Sequence, residues 1–143
     1  MQYLDLAESI GIDTLDTASG CGNSEQALGK VGIDNCQIIT KTSSIKLCVD
    51  SVISDFYNSL EGLGLARVEG LLIHNIDDIK GKQLAVLFRK LNQLKGWGLV
   101  NKIGFSIQSD DWLKCKTYIT QEMLKNGILV SNVIYICAEH GQV

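Results

Sequence analysis

Polar or ionisable side chains stand near the ends of four otherwise apolar stretches of the sequence. These side chains are Asp16, Lys41, His74 and Ser106. A carboxylate, an ammonium and an imidazole held together could tune the proton affinity of a nearby donor, as general acid–base catalysis requires. Each has a simpler explanation when taken singly, since Asp16 could cap a turn, Lys41 could extend to solvent and His74 could be a structural histidine. Taken together, they predict a site.

The stretches that these residues follow predict β-strands, because they are short and rich in β-branched residues. A fifth stretch of the same kind follows near the carboxyl end. The predicted strands are Ile12–Thr17, Cys36–Thr42, Val68–Asn75, Leu99–Ile107 and Ile128–Cys137. None alternates strictly between polar and apolar residues, so we expect both faces of the sheet to be covered.

Helices are predicted before the first strand and between all of the strands, because apolar residues recur there at helical spacing. The first ends at Gly11 and the second runs from Ser24 through Leu28, ending near Gly29. Two longer helices follow, with apolar faces over 49–63 and 84–94, and a last helix begins at Ser109.

Alternating strands and helices predict an α/β fold with a parallel sheet, in which the carboxyl ends of all strands share one edge. Successive strands start about 25 to 35 residues apart, which fits the repeat of a (β/α)₈ TIM barrel. A doubly wound open sheet would have the same rhythm. It is less favoured, because no G-x-G-x-x-G motif joins a strand to a helix. We therefore predict an incomplete (β/α)₈ barrel of about five parallel strands with outer helices.

Four motifs, in order and suitably spaced, resemble those of the aldo-keto reductase family. They are "GIDTLDTASGCGNSEQALGK", "IITKT", "LLIHN" and "GLVNKIGFSI". The resemblance extends from about Asp5 to Ile107 and is weak from Ser109 onward. It implies a (β/α)₈ barrel that binds a nicotinamide cofactor, usually NADPH, and reduces aldehydes and ketones. The implied partner is thus a small-molecule carbonyl substrate.

The resemblance also implies roles for the residues at the strand ends. Asp16, Lys41 and His74 match three members of the family's catalytic tetrad, and Ser106 matches the serine that holds the nicotinamide carboxamide. The fourth member is a tyrosine that protonates the carbonyl oxygen, and Cys21 occupies its position. The implied catalytic set is therefore Asp16, Cys21, Lys41 and His74.

Cys21 is expected to be a poor proton donor. A thiol is acidic enough to replace a phenol, but its sulfur lies only one bond beyond Cβ. A misplacement of ~1 Å can cost about a hundredfold in rate, and a missing phenol ring displaces the donor by more than that. A redox or nucleophilic role for Cys21 would be the other use of a thiol beside an amine, but the sequence shows no resolving partner.

The five predicted strands correspond to the second to sixth strands of the family. Counterparts of the first, seventh and eighth units are not found in the 143 residues, and the last two usually carry the phosphate site of such barrels. We therefore expect residues 1–143 to form one partial barrel domain with negligible reductase activity. Its open edges favour a homo-oligomer that covers them.

The composition limits which partners and which cellular compartment are expected. A net charge of −3 does not favour nucleic acid, and no apolar run is long enough to cross a membrane. Five cysteines without a signal peptide indicate reduced thiols in the cytoplasm, and all but Cys21 are expected to be small buried residues. Cys137 and His140 alone make a weak metal signal, so no metal is predicted. Two functions stay open: an NADPH-dependent reductase, or a non-catalytic binding protein on the same scaffold.

Overall fold

The computed structural model describes residues 2–42, 48–74 and 83–106, together with Thr117 and Gln121. Helices and strands alternate along these ranges, as the sequence predicts. In chain order they are α1 (Gln2–Ser9), β1 (Thr14–Asp16), α2 (Ser24–Val31), β2 (Gln37–Lys41), α3 (Val49–Leu63), β3 (Val68–Ile73), α4 (Gln83–Gly96) and β4 (Val100–Phe105). The predicted strand Ile128–Cys137 and the helix predicted from Ser109 lie outside the described residues.

The four strands form one parallel sheet in the order β1-β2-β3-β4. Each strand therefore pairs with the next one along the chain, which is the order of a barrel. A doubly wound sheet would reverse its strand order at a switch point. The prediction of an α/β parallel sheet is confirmed, and the sequential order favours the barrel over the open sheet.

Strand alternation divides the side chains between two faces of the sheet. One face packs against α3 and α4, and its residues include Ile38, Leu71, Ile73 and Phe105, each at most 3% exposed. The other face, called here the inner face, carries the residues that the register aligns across the strands. They include Asp16, Ile39, Lys41, Gly70, Leu72, Lys102 and Gly104.

The predicted end of the second helix is wrong. Helix α2 continues through Gly29 to Val31 and stops at Gly32, whose φ of 88° is a conformation that favours glycine. Gly29 serves a different purpose, because a Cβ there would lie 2.4 Å from the carbonyl oxygen of Gly62 in α3. Glycine at this position thus lets two helices cross closely, and sequence alone did not separate that use from a helix stop.

The strands are shorter than predicted, but their hydrogen bonding continues beyond the ladder. The N–H of Thr42 donates to the carbonyl of Leu72 at 2.8 Å, and that of Ser106 donates to Ile73 at 2.9 Å. Thr42 and Ser106 are therefore the first residues past β2 and β4. The predicted strand ends Asn75 and Ile107 lie outside the described residues.

The prediction that every cysteine but Cys21 is buried is also wrong. Cys48 is exposed, and its sulfur accepts a hydrogen bond from the N–H of Ser51 at the start of α3. Cys36 is half-buried against the core. Cys115 and Cys137 lie outside the described residues. Within the ranges that the structure describes, no helix has the length and apolar character needed to cross a membrane.

Candidate active site

The predicted site residues at strand ends all lie at the carboxyl edge of the sheet. Asp16 and Lys41 are the last residues of β1 and β2, while His74 and Ser106 are the first residues after β3 and β4. Because the four strands are parallel and adjacent, this edge is common to all of them. It is the edge at which α/β barrels place their sites.

An ion pair joins the first two of these residues. The Nζ of Lys41 donates to Oδ2 of Asp16 at 2.5 Å and lies 3.4 Å from the carbonyl oxygen of Thr17. The side chain of Lys41 is only 11% exposed, and that of Asp16 is 42% exposed. A largely buried ammonium is costly unless it is paired, and Asp16 provides the partner on the inner face.

Cys21 lies on the turn between β1 and α2 and is exposed. Its N–H donates to the carbonyl of Ala18 at 3.1 Å, and its own carbonyl accepts from the N–H of Ser24 at 3.2 Å. Gly22 follows with a φ of 61°, which turns the chain into the helix. The turn is further tied to β2, because Ser19 Oγ donates to the carbonyl of Lys41 at 3.3 Å.

His74 is exposed at the end of β3. Its backbone N–H donates to Oγ1 of Thr42 at 3.3 Å, so the hydroxyl of the residue that follows β2 holds the histidine backbone. His74 follows Leu72 by two positions, and Leu72 aligns with Lys41 in the sheet register. Strand alternation therefore directs position 74 away from the helix-packed face that Ile73 occupies.

Ser106 is 5% exposed and follows β4 directly. Its backbone continues the ladder to β3, which fixes it beside His74 at the edge. A serine hydroxyl both donates and accepts, so it can bind a carboxamide. Ser106 is thus a buried hydroxyl at the carboxyl edge of the sheet.

Several supporting contacts were not found from the sequence. Ser19 and Thr42 act through the backbone, which leaves no signal in residue spacing. A third contact is a buried hydrogen bond on the helix side, from Oγ1 of Thr40 to Oε1 of Glu25 at 2.7 Å. The signal for Thr40 was available, because it is a hydroxyl at an outward position of an apolar strand.

Metal binding finds no support in the part of the chain that the structure describes, where no three histidine, cysteine or acidic side chains cluster. Cys137 and His140 lie outside that part. The chemistry available at the edge is therefore that of an ammonium–carboxylate pair, an imidazole, a thiol and a hydroxyl.

Comparison with solved structures relates this arrangement to one fold. A candidate aldo-keto reductase from Pseudomonas aeruginosa matches 85% of this chain and 51% of its own, with 24% identity and a TM-score of 0.70. An aldo-keto reductase from Brucella melitensis matches 90% and 49%, with 24% identity and a TM-score of 0.65. A Bombyx mori aldo-keto reductase solved with NADP matches 97% and 55%, with 18% identity and a TM-score of 0.63.

These comparisons confirm, for the fold, the resemblance that the motifs indicate: the chain has the fold of the aldo-keto reductases. It spans about half the length of the first two of these solved proteins, which fits an incomplete (β/α)₈ barrel. The sequence matches no protein-family model and no curated protein.

Proposed function

We propose that this chain is an aldo-keto reductase-type oxidoreductase whose carbonyl reduction is impaired at the proton-donating step. The observation that carries the proposal is the Lys41–Asp16 ion pair at the carboxyl edge of a sheet with the aldo-keto reductase fold, in which the lysine side chain is largely buried. An ion pair needed only for stability gains little from such a position, since paired charges in a protein interior seldom outperform apolar residues.

Each residue of the edge has a definite part in this proposal. The Lys41 ammonium, held by Asp16, stabilises negative charge on whichever group gives up a proton beside it. The imidazole of His74 donates a hydrogen bond to the carbonyl oxygen and orients the substrate. The substrate class is a small aldehyde or ketone.

The cofactor that fits the proposal is NADPH, which would supply hydride. Ser106 would hold its carboxamide, because a buried hydroxyl with both donor and acceptor capacity suits an amide. Among the described residues, the proposed contacts reach only the nicotinamide end of NADPH.

Impairment is proposed because position 21 carries a thiol. The turn that bears it is tied to the carboxyl end of β2, because Ser19 Oγ donates to the backbone carbonyl of Lys41. A short thiol on that backbone does not reach as far as a phenol ring would, and a thiol is a weak hydrogen-bond donor. We therefore expect the reaction to stop at protonation of the carbonyl oxygen.

The alternative function is a non-catalytic binding or interaction protein on the same scaffold. The exposed Cys21 in place of a proton donor favours it, while the intact Lys41–Asp16 pair favours the reductase. The two functions differ in whether the edge still accepts a nicotinamide.

The test is a fluorescence titration of the 143-residue chain with NADPH. We expect weak binding, because the units that usually carry the phosphate site have no counterpart in residues 1–143. Ser106→Ala should weaken it about fivefold further, because one hydrogen bond contributes about 1 kcal/mol net. Ser9→Ala is the matched control, since Ser9 bonds only within α1 at Leu6 and is exposed. Absence of binding even in a full-length chimera that supplies the missing units would favour the alternative.

Turnover is the second arm of the same test. We expect no aldehyde reduction near the ~10 s⁻¹ median of enzymes, even with NADPH bound. Turnover at such a rate would show that Cys21 is a competent donor and that the impairment is not real.

We further propose that the chain acts in the cytoplasm as a homo-oligomer. Among the described residues, the outer edge of β1 has no paired strand, and exposed apolar residues lie close to it in sequence. These are Leu6, Ile10 and Ile12. Unpaired edges and apolar patches favour association. Sedimentation equilibrium should show a dimer or larger species, and a monomer at all concentrations would contradict this.

A further inference from the structure

A buried carboxylate on the helix side of the sheet takes no part in the proposed chemistry. Glu25 lies in the first turn of α2 and is 5% exposed, and its Oε1 accepts from Oγ1 of Thr40, which is 1% exposed. Burying a carboxylate is unfavourable unless it is hydrogen-bonded, so the bond from Thr40 is needed to keep Glu25 in place.

Thr40 stands directly before Lys41 in β2, and the two side chains leave the strand on opposite faces. Lys41 reaches inward to Asp16, while Thr40 reaches outward to Glu25. One short stretch of strand therefore holds both the ammonium of the site and the first turn of α2.

The same helix start carries the turn with Cys21. Its other ties are weaker: the hydroxyls of Thr17 and Ser24 lie 3.4 Å apart, and Ser19 Oγ lies 3.3 Å from the carbonyl oxygen of Lys41. The bond between Glu25 and Thr40 is the shortest and most buried of these ties.

The start of α2 also lacks the usual side-chain cap. Asn23 occupies the N-cap position, but its side chain makes no capping hydrogen bond. A carboxylate in the first turn stabilises a helix, because it lies near the positive end of the helix dipole, and Glu25 provides such a carboxylate. Glu25 thus joins the helix start to β2 and compensates for the missing cap.

We infer that Glu25 is a positioning residue: through Thr40, it sets where the turn bearing position 21 lies relative to the Lys41 ammonium. The importance of that placement rests on the proposed function, but the placement itself does not. The experiment therefore measures the turn directly, and NADPH binding is scored separately.

Amide hydrogen exchange followed by NMR on the 143-residue chain tests this. Thr40→Val keeps the shape of the side chain and removes the donor. The N–H groups of Cys21 and Ser24, which close the turn, should exchange about tenfold faster, as expected for losing a hydrogen bond to a charged group. Amides of β3 should be unchanged relative to the parent chain.

Two matched variants separate positioning from general stability. Thr40→Ser restores a hydroxyl and should return exchange of the turn amides to within about twofold of the parent. Ile38→Val shortens a 1% exposed side chain on the same face of β2, so it lowers global stability without touching the Glu25 bond. It should leave exchange at Cys21 and Ser24 unaltered.

The inference is overturned if Thr40→Val leaves exchange of the turn amides unchanged, or speeds β3 amides equally, or if Ile38→Val has the same local effect.

Should Thr40→Val fail to fold, the double variant Glu25→Leu with Thr40→Val removes the bond and keeps the site apolar. Its turn amides should exchange as fast as predicted for the single variant, and a protected turn there would equally overturn the inference. If the turn amides behave as expected but neither the parent chain nor the full-length chimera binds NADPH, the result counts against the proposed function and not against the positioning role of Glu25.

Discussion

The two faces of the sheet use the same strands for different purposes. On the helix-packed face, Ile38, Leu71 and Phe105 are almost fully buried and apolar. On the inner face, at the carboxyl edge, Asp16 and Lys41 form an ion pair that is partly exposed. Because neighbouring residues point to opposite faces, a strand can change its chemistry at one edge without disturbing its packing. We therefore expect stability to depend on the helix-packed face and chemistry to depend on the edge.

The largest effect should come from the helix-packed face. Leu71→Ala removes a side chain that is 1% exposed and should lower the free energy of unfolding by about 2–5 kcal/mol, through lost burial and the cavity left behind. Leu6→Ala, at a residue 59% exposed, should change it by less than about 0.5 kcal/mol. Urea denaturation measures both, and equal losses would remove the contrast between buried and exposed positions.

The helix crossing behind the sheet should be the next most sensitive feature. Gly29→Ala forces a Cβ against the Gly62 carbonyl and should cost about 1–3 kcal/mol of unfolding free energy. Gly96→Ala is the control, because nothing lies within 4 Å of its added Cβ. There alanine should be neutral or stabilising by about 0.5 kcal/mol. Thermal unfolding of the two variants measures the difference. If Gly29→Ala is as stable as Gly96→Ala, α2 and α3 do not cross as described.

At the inner edge, we expect a smaller effect on stability. Asp16→Asn leaves the largely buried Lys41 ammonium without its carboxylate and should cost about 1 kcal/mol, since Asp16 itself is well exposed. Lys41→Met keeps the apolar stem and should be close to neutral. Chemical denaturation at low ionic strength measures both variants. Losses as large as that of Leu71→Ala would show that the edge is a stability element and would contradict the division between the faces.

A surface ion pair on β3 and β4 should contribute least. Hydrogen bonds from Lys102, and then from Asn101, lower the pKa of Glu69 below its ordinary value of 4.5. A lowered folded-state pKa stabilises the protein above the unfolded value, and this stabilisation is lost as pH falls through the folded one. Glu69→Gln should thus cost about 0.5 kcal/mol at pH 7. The difference from the parent should vanish as the pH is taken well below 4.5. A loss of unfolding free energy in Glu69→Gln that grows as the pH falls would contradict the lowered pKa of Glu69.

Sequence reasoning predicted the alternation of elements well, because β-branched runs and helical apolar spacing are local signals, but it made every described strand too long. It placed Asp16 and Lys41 at one edge because parallel strands share that edge. It misjudged Gly29, since a glycine that stops a helix and one that lets two helices cross look alike in a sequence. It also missed the Glu25–Thr40 bond, which depends on how α2 packs on β2 and not on spacing.

The roles of Cys21, His74 and Ser106 remain predictions, since their placement at the edge is structural but their chemistry depends on a bound substrate and cofactor. Only a reaction can test them. The motif resemblance implies a tyrosine where this chain has Cys21, and that position can be changed by one substitution.

The most direct measurement uses a chimera in which residues 2–106 replace the matching part of a full-length aldo-keto reductase. NADPH-dependent aldehyde reduction is then compared between the form with Cys21 and the form with Cys21→Tyr, after confirming that both bind NADPH. The account predicts that the tyrosine form is faster by about 10²–10⁴-fold, the usual contribution of general acid catalysis. Equal rates in the two forms would contradict the claim that the edge is a carbonyl-reduction site lacking only its proton donor.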